Sequence, residues 1–230
     1  MTSPQLPDLI RPVYGRILRK YKVAFETLKL GESPLHLLQV TDLEPLLKGR
    51  DPFRDVSSFP FWIKLWESSM VLAALLAKLP PAPGQTLLEL GAGLAAPGLA
   101  AAQAGYRVTL SDYEQDILDF ARVSAAVNGL DKVDFRLLDW KNPPDLGTFD
   151  TIVGAEILFR EEFFEPLLAV FDRMLAPGGT IYLSHDMRRK SLPQFLKLAE
   201  GQYEIAVSTR KMRSEDETLT VIVNRLRRRG

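Results

Sequence analysis

One feature constrains this chain more than any other: a glycine-rich turn set between a strand and a helix. It reads Leu87-Leu88-Glu89-Leu90-Gly91-Ala92-Gly93-Leu94-Ala95-Ala96-Pro97-Gly98. A short apolar run enters it and a helical pattern leaves it. Without Cβ atoms, Gly91 and Gly93 let the backbone turn sharply and let a ligand come close. Downstream the pattern repeats. Strands are expected over 86–90, 107–111, 133–137, 151–154 and 180–184, with helices over 95–104, 114–128, 161–175 and 191–200. Such alternation implies a mostly parallel sheet with helices on both faces. The last two runs, 203–208 and 218–224, are joined by nine residues without a helical pattern and read as an antiparallel hairpin at one edge. The expected fold is therefore α/β: a Rossmann-like, doubly wound, mostly parallel seven-stranded sheet.

Upstream of the glycine turn the pattern differs. Residues 1–18 show no clear period. Tyr21, Val23 and Phe25 alternate with Lys20, Lys22 and Glu26, which predicts a half-buried strand over 20–30. The turn Gly31-Glu32-Ser33-Pro34 and a return over 35–40 make an N-terminal β-hairpin, followed by a short helix over 42–48 and a loop over 49–60. A long helix is expected over 61–79, with Trp62, Leu65, Trp66, Leu72, Ala73 and Leu76 on one stripe. A proline run at 80–83 stops it. The breaker Pro177-Gly178-Gly179 is expected to separate the 161–175 helix from the next strand, and the basic tail 225–229 to fray. The natural division is an N-terminal extension, 1–60, and a main domain, 61–230.

In an open α/β sheet, ligands bind beyond the carboxyl ends of the strands where strand order reverses. Asp112 closes the second strand, 21 residues after Gly91. An acid at that place suits a ribose diol, although it would equally cap the following helix. The spacing does not exclude a dinucleotide: Ala96 stands where a third glycine would, and a variant ending in Ala exists. Glu89, two residues before Gly91, decides more. A carboxylate there repels a pyrophosphate and favours a cation. S-adenosylmethionine is an adenosine carrying a sulfonium and an ammonium, with no phosphate. Asp139 and Trp140 end the third strand. There an acid accepts from an adenine amino group and an indole offers a flat apolar wall; a turn residue and a core lid are the plainer readings.

Composition narrows the classes further. Lys plus Arg and Asp plus Glu number 29 each, a balance that argues against a protein whose main task is to coat nucleic acid. With no Cys and only His36 and His185, thiolate catalysis, Cys-ligated zinc and a His-rich metal site are excluded, so no metal is expected. The first residues do not resemble a secretory signal, and the longest apolar stretch has eight residues, far short of a membrane span. A cytoplasmic location fits a Cys-free chain.

The motifs at 89–93, Asp112, Asp139-Trp140, Phe149-Asp150 and 175–179 together resemble the class I, seven-β-strand S-adenosylmethionine-dependent methyltransferases. The resemblance covers about residues 62–224, and Ala95 departs from it where many members carry a third glycine. Two segments are similar to a narrower group, the methyltransferase-16-type protein lysine methyltransferases: Leu65-Trp66-Glu67-Ser68-Ser69, and Glu156-Ile157-Leu158-Phe159 after the fourth strand. The second stands where that group has Asp-x-x-Tyr; the spacing is kept and both residue types differ. The resemblance implies S-adenosylmethionine held by Trp66, Glu89, Gly91, Ala92, Gly93, Asp112, Tyr113, Asp139, Trp140 and Ala155. It also implies a lysine amine framed by Glu156 and Phe159, with Arg188 a further candidate and Glu161-Glu162 an acidic lure or simply a first helical turn.

The expected partner is a protein substrate. The alternatives are RNA or a small molecule as acceptor, and a non-catalytic module of the same fold. Base methylators of RNA often carry Asn/Asp-Pro-Pro-Tyr/Phe after strand four. The proline-free run at 156–159 lowers the RNA option, while the basic run 188–190 and the Arg-rich tail keep it open.

Overall fold

A computed structural model describes residues 6–31, 33–47, 60–213 and 218–230. Helix α1 (Arg11–Lys20) leads into a hairpin of β1 (Val23–Leu30) and β2 (Ser33–Val40), then α2 (Glu44–Leu47) and a 3-10 turn at Phe61–Ile63. The main domain runs α3 (Glu67–Leu76), β3 (Thr86–Leu90), α4 (Ala96–Ala104), β4 (Arg107–Asp112), α5 (Gln115–Val127), β5 (Val133–Leu137) and β6 (Phe149–Ala155). It closes with α6 (Phe164–Met174), β7 (Leu175–Asp186), α7 (Leu192–Ala199), β8 (Tyr203–Arg213) and β9 (Thr218–Arg228). The expected loop over 49–59 and the end of the expected 42–48 helix lie outside the described residues.

The main sheet has the order β5-β4-β3-β6-β7-β9-β8. Its first five strands pair in parallel, while β9 runs antiparallel to both β7 and β8. Chain order reverses beside β3, so the glycine turn sits at the switch point, where ligands of this architecture bind. One face buries Leu88, Leu90, Ile152, Ile181 and Leu183 under the Phe164, Phe171 and Phe195 of α6 and α7. The other buries Leu87, Val108 and Leu110 under α3 and α4, together with Leu35 and Leu37 of the N-terminal hairpin. Each such leucine contributes about 1.5–3 kcal/mol. The hairpin is its own two-stranded sheet, yet it shares a core with the main sheet.

Four expectations are corrected. The helix over 61–79 breaks, and α3 starts only at Glu67. The Phe61 carbonyl accepts from Lys64 N–H (3.5 Å) and from the Trp66 indole (3.0 Å), so a continuous helix loses its first acceptor. Residues 11–20, without evident period, form α1. Ile10, Val13, Tyr14 and Ile17 pack against Leu38 of β2 and Phe120 and Val123 of α5, and two ion pairs to α5 add to that contact: Arg16 to Asp119 at 2.7 Å and Lys20 to Asp116 at 2.8 Å. Pro177-Gly178-Gly179 does not precede β7 but lies within it. The pairing with β6 shifts register there, and Gly178 takes φ +73. The basic tail does not fray. Arg225 to Arg228 belong to β9, Arg228 pairs with Asp172 at 3.0 Å, and Arg229 donates to the Gln202 and Glu200 carbonyls.

Candidate active site

The loop after β3 is built by the backbone and braced by two acids. Gly91 (φ +61) and Gly93 (φ +52) carry the turn. Ala92 N–H donates to the Ser111 carbonyl at 2.9 Å, and the Ser111 hydroxyl donates to the Glu89 carbonyl at 2.6 Å. Asp112 accepts from Gly93 N–H at 3.0 Å and Tyr113 N–H at 2.8 Å. A carboxylate has about four acceptor sites, so capacity for a diol remains. Burial pushes the Asp112 carboxyl up to about 6, and the N–H donors only partly oppose that shift.

Glu89 is braced by the helix that leaves the loop. It is 1% exposed and accepts from Gly98 N–H at 2.9 Å, within the first turn of α4. Burial raises its carboxyl to about 8, so near pH 7 the group is largely neutral. Its visible work is to satisfy a helix-terminal donor. Gly98 shares that duty by its size: a Cβ there would lie 2.3 Å from Leu110 Cδ2 and 2.5 Å from Glu89 Oε2. Ala95, where the resemblance expects glycine, holds the left-handed conformation itself (φ 59, ψ 25).

Other elements converge on this loop. A Cβ on Gly91 would come within 3.3 Å of the Trp140 ring and 3.0 Å of Ile157 Cγ2. The indole therefore covers the first glycine. Asp139 is exposed and its carboxylate accepts from Lys141 N–H at 3.0 Å, a turn role. Tyr113 is exposed just past β4, and Ala155 closes β6. Trp66 is half-buried, with its indole on Phe61 and the Lys64 ammonium 4.5 Å above its ring. The segment touches the glycine loop through Trp62, whose backbone would lie 3.6 Å from a Cβ on Gly93.

The second half of the site lies past β6 and β7. Glu156 has φ +55, and its N–H donates to the Ser184 carbonyl at 2.9 Å. One carboxylate oxygen accepts from Asp186 N–H at 2.7 Å. The other accepts from Arg189 Nε at 3.1 Å and from Arg189 Nη2. Glu156 is thus not the free anchor the sequence suggested, because an internal cation already holds it. Phe159 is 44% exposed. It contacts Phe163, which in turn meets Trp140 edge-on, so aromatic rings link the two halves. Arg188 is held to Asp186 at 2.7 Å, which keeps that carboxyl below its usual range. Glu162 pairs with Lys141 at 2.9 Å. An open cavity of about 530 Å³ is lined by Phe159, Glu161, Asp186, Arg188, Arg189, Lys190 and Ser191.

Behind the cavity, His185 is fully buried, and burial with the nearby Arg189 charge drives its pKa down to about 3. Among the described residues no three His, Asp or Glu side chains group as a metal site, and no helix is long and apolar enough to cross a membrane. Sequence reasoning missed Trp62, Gly98, Ser111, Ile157 and Arg189 as site-builders. Only Gly98, closing the quoted glycine motif, and Arg189, inside a basic run, left a signal.

Three kinds of likeness bear on this arrangement. The lysine methyltransferase family model matches residues 61–202. Protein N-lysine methyltransferase METTL21A of Xenopus tropicalis is 30% identical over 148 residues, 62% of this chain and 68% of that protein. Histone-arginine methyltransferase METTL23 of Mus musculus is 37% identical over 112 residues, 46% of this chain and 44% of its own length. The chain therefore spans from under half to about two thirds of these relatives. Among solved structures, ribosomal protein L11 methylase from Lactobacillus delbrueckii subsp. bulgaricus superposes with a TM-score of 0.60 at 21% identity, covering 89% of this chain and 100% of that one. Precorrin-6y C5,15-methyltransferase from Geobacter metallireducens GS-15 gives 0.59 at 16% identity, over 74% and 92%. At such identities the likeness is one of fold.

Proposed function

This chain belongs to the lysine methyltransferase family, with S-adenosylmethionine as its methyl donor, and we propose that it methylates the side-chain amine of a protein lysine. The observation that carries the proposal is the join between the two halves of the site. The glycine cradle under Trp140 reaches the Phe159 cavity through one intervening ring, Phe163.

The residues present fit the donor. The missing Cβ of Gly91 lets Trp140 and Ile157 close over the loop, and Asp112 keeps acceptor capacity for a ribose. Gly91, Gly93, Asp112, Tyr113, Trp140 and Ala155 would hold the donor, with Trp66 and Asp139 at its margins and Glu89 beneath the loop. When bound, the donor supplies a methyl group already activated by its sulfonium. The protein's work is then mostly orientation, which is worth about 7–11 kcal/mol of barrier in well-aligned cases.

The acceptor end has a further task. A lysine amine has a reference pKa of about 10.4 and is protonated near neutrality. Phe159 strips water from the amine, and desolvation lowers its pKa. The cavity wall carries two acids, Glu161 and Asp186, and three bases, Arg188, Arg189 and Lys190, with Asp186 already paired to Arg188, so a cationic side chain has to compete for its acid. Glu156 organises the rim by holding Asp186 N–H and Arg189. The absence of Cys supports action in the cytoplasm.

The test is incubation with tritium-labelled S-adenosylmethionine and cell extract, followed by RNase, protease and amino-acid analysis. Label is expected to survive RNase, be released by protease and elute as methyllysine. Elution as methylarginine would move the acceptor to a guanidinium, in keeping with the METTL23 likeness. Label removed by RNase would overturn the protein-substrate reading.

A further inference from the structure

We propose that Arg189 is the enzyme's internal stand-in for the acceptor, so that a cationic side chain reaches Glu156 only by exchanging places with it. The inference rests on the methyl-transfer reading and extends it to how the acceptor is admitted.

Glu156 is 9% exposed at its side chain and directly follows β6. Both carboxylate oxygens are engaged, one by Asp186 N–H and one by the Arg189 guanidinium. An amine arriving with Arg189 in place would meet a neutralised acid and a like charge. With Arg189 withdrawn it would meet an almost buried carboxylate lacking its counter-ion, a strong attraction for a cation and none for a neutral group.

Three observations favour exchange over a permanent brace. Arg189 is 28% exposed and lines the cavity, so its head already borders the space the acceptor would enter. It stands on a tight turn between β7 and α7, closed by its own N–H to the Asp186 carbonyl at 3.0 Å, and lies in neither element. Glu161 lines the same cavity and offers a second acid to a displaced guanidinium. Glu156 also holds φ +55, a conformation costly for a residue with a side chain. Strain of this kind clusters at ligand clamps and switch regions.

The experiment titrates n-butylammonium and n-butylguanidinium, mimics of lysine and arginine side chains, into protein saturated with S-adenosylhomocysteine. Wild type, Arg189→Gln and the Arg189→Gln, Glu156→Gln double variant are compared by calorimetry. The single variant is expected to bind at least one probe about tenfold or more tightly than wild type, and the double variant to lose that gain. Equal affinity in wild type and the single variant, or a gain that survives loss of Glu156, would overturn the exchange. A reading that needs no variant comes from the Arg189 Nε–H resonance of the wild-type protein. It is expected to move to the position of a free arginine as the probe saturates; a resonance that stays in place would also overturn the proposal. If S-adenosylhomocysteine itself fails to bind, the methyltransferase reading falls first. If it binds and no exchange occurs, only the stand-in is lost.

Discussion

The two halves of the site are held by different kinds of bond. At the tips of β3 and β4, carboxylates accept from backbone N–H groups of the same loop, and the shape follows from glycines at 91, 93 and 98. At the tips of β6 and β7, a side-chain ion pair between residues 33 apart closes the rim. The half proposed for the donor is therefore shaped by the backbone itself. The half proposed for the acceptor is filled by its own arginine. A common donor can be met by a fixed cradle, whereas the acceptor must be selected, and selection is where side chains differ.

The sharpest way to break this division is to cross the two halves. Asp112→Ala should weaken S-adenosylhomocysteine binding by about 1.5–3 kcal/mol, roughly 10- to 150-fold. Glu156→Ala should leave that affinity unchanged while lowering turnover. Calorimetry showing equal losses in both would join the halves into one unit.

Next in size is Gly98→Ala. The added carbon meets Leu110 and Glu89 at 2.3 and 2.5 Å, and overpacking of this kind costs about 1–3 kcal/mol. Thermal melts should show a clear drop, against no change for Gly201→Ala, where nothing lies within 4 Å. A pH series tests the buried acid beside that glycine. Burial raises Glu89 from 4.5 to about 8, so the native state keeps a proton that the unfolded chain releases. Its contribution to stability is present at low pH and is lost as pH climbs from about 4.5 through 8. Glu89→Gln keeps an acceptor for Gly98 and should flatten that decline; an unchanged slope would assign the pH dependence to other groups. The smallest effect is Ala95→Gly. Relief of a left-handed alanine should raise stability by about 1 kcal/mol, read as a higher melting temperature.

The same contrast explains what was legible in the sequence. Strand and helix periods, the glycine turn and Asp112 are local signals, and they located the sheet and the loop proposed to hold the donor. The direction in which Glu89 points is not local, because Gly98 reaches it only once α4 has packed. The break before α3 turned on where one indole N–H would go. Helix α1 escaped because its apolar positions, Ile10, Val13, Tyr14 and Ile17, find their partners only on β2 and on a helix about a hundred residues away, where ion pairs add to the contact. Arg189 read as one cation in a basic run, and nothing in the spacing showed that it, and not Arg188, would meet Glu156. Arg188 turns back to Asp186, two residues before it.

The most direct test of the account follows amide and indole N–H resonances while S-adenosylhomocysteine is added. The expected result is large shifts at Gly91, Gly93, Tyr113 and the Trp140 indole, with the amides of β8 and β9 unmoved. Binding that left the Gly91–Gly93 loop and Trp140 untouched, and shifted resonances elsewhere, would contradict it.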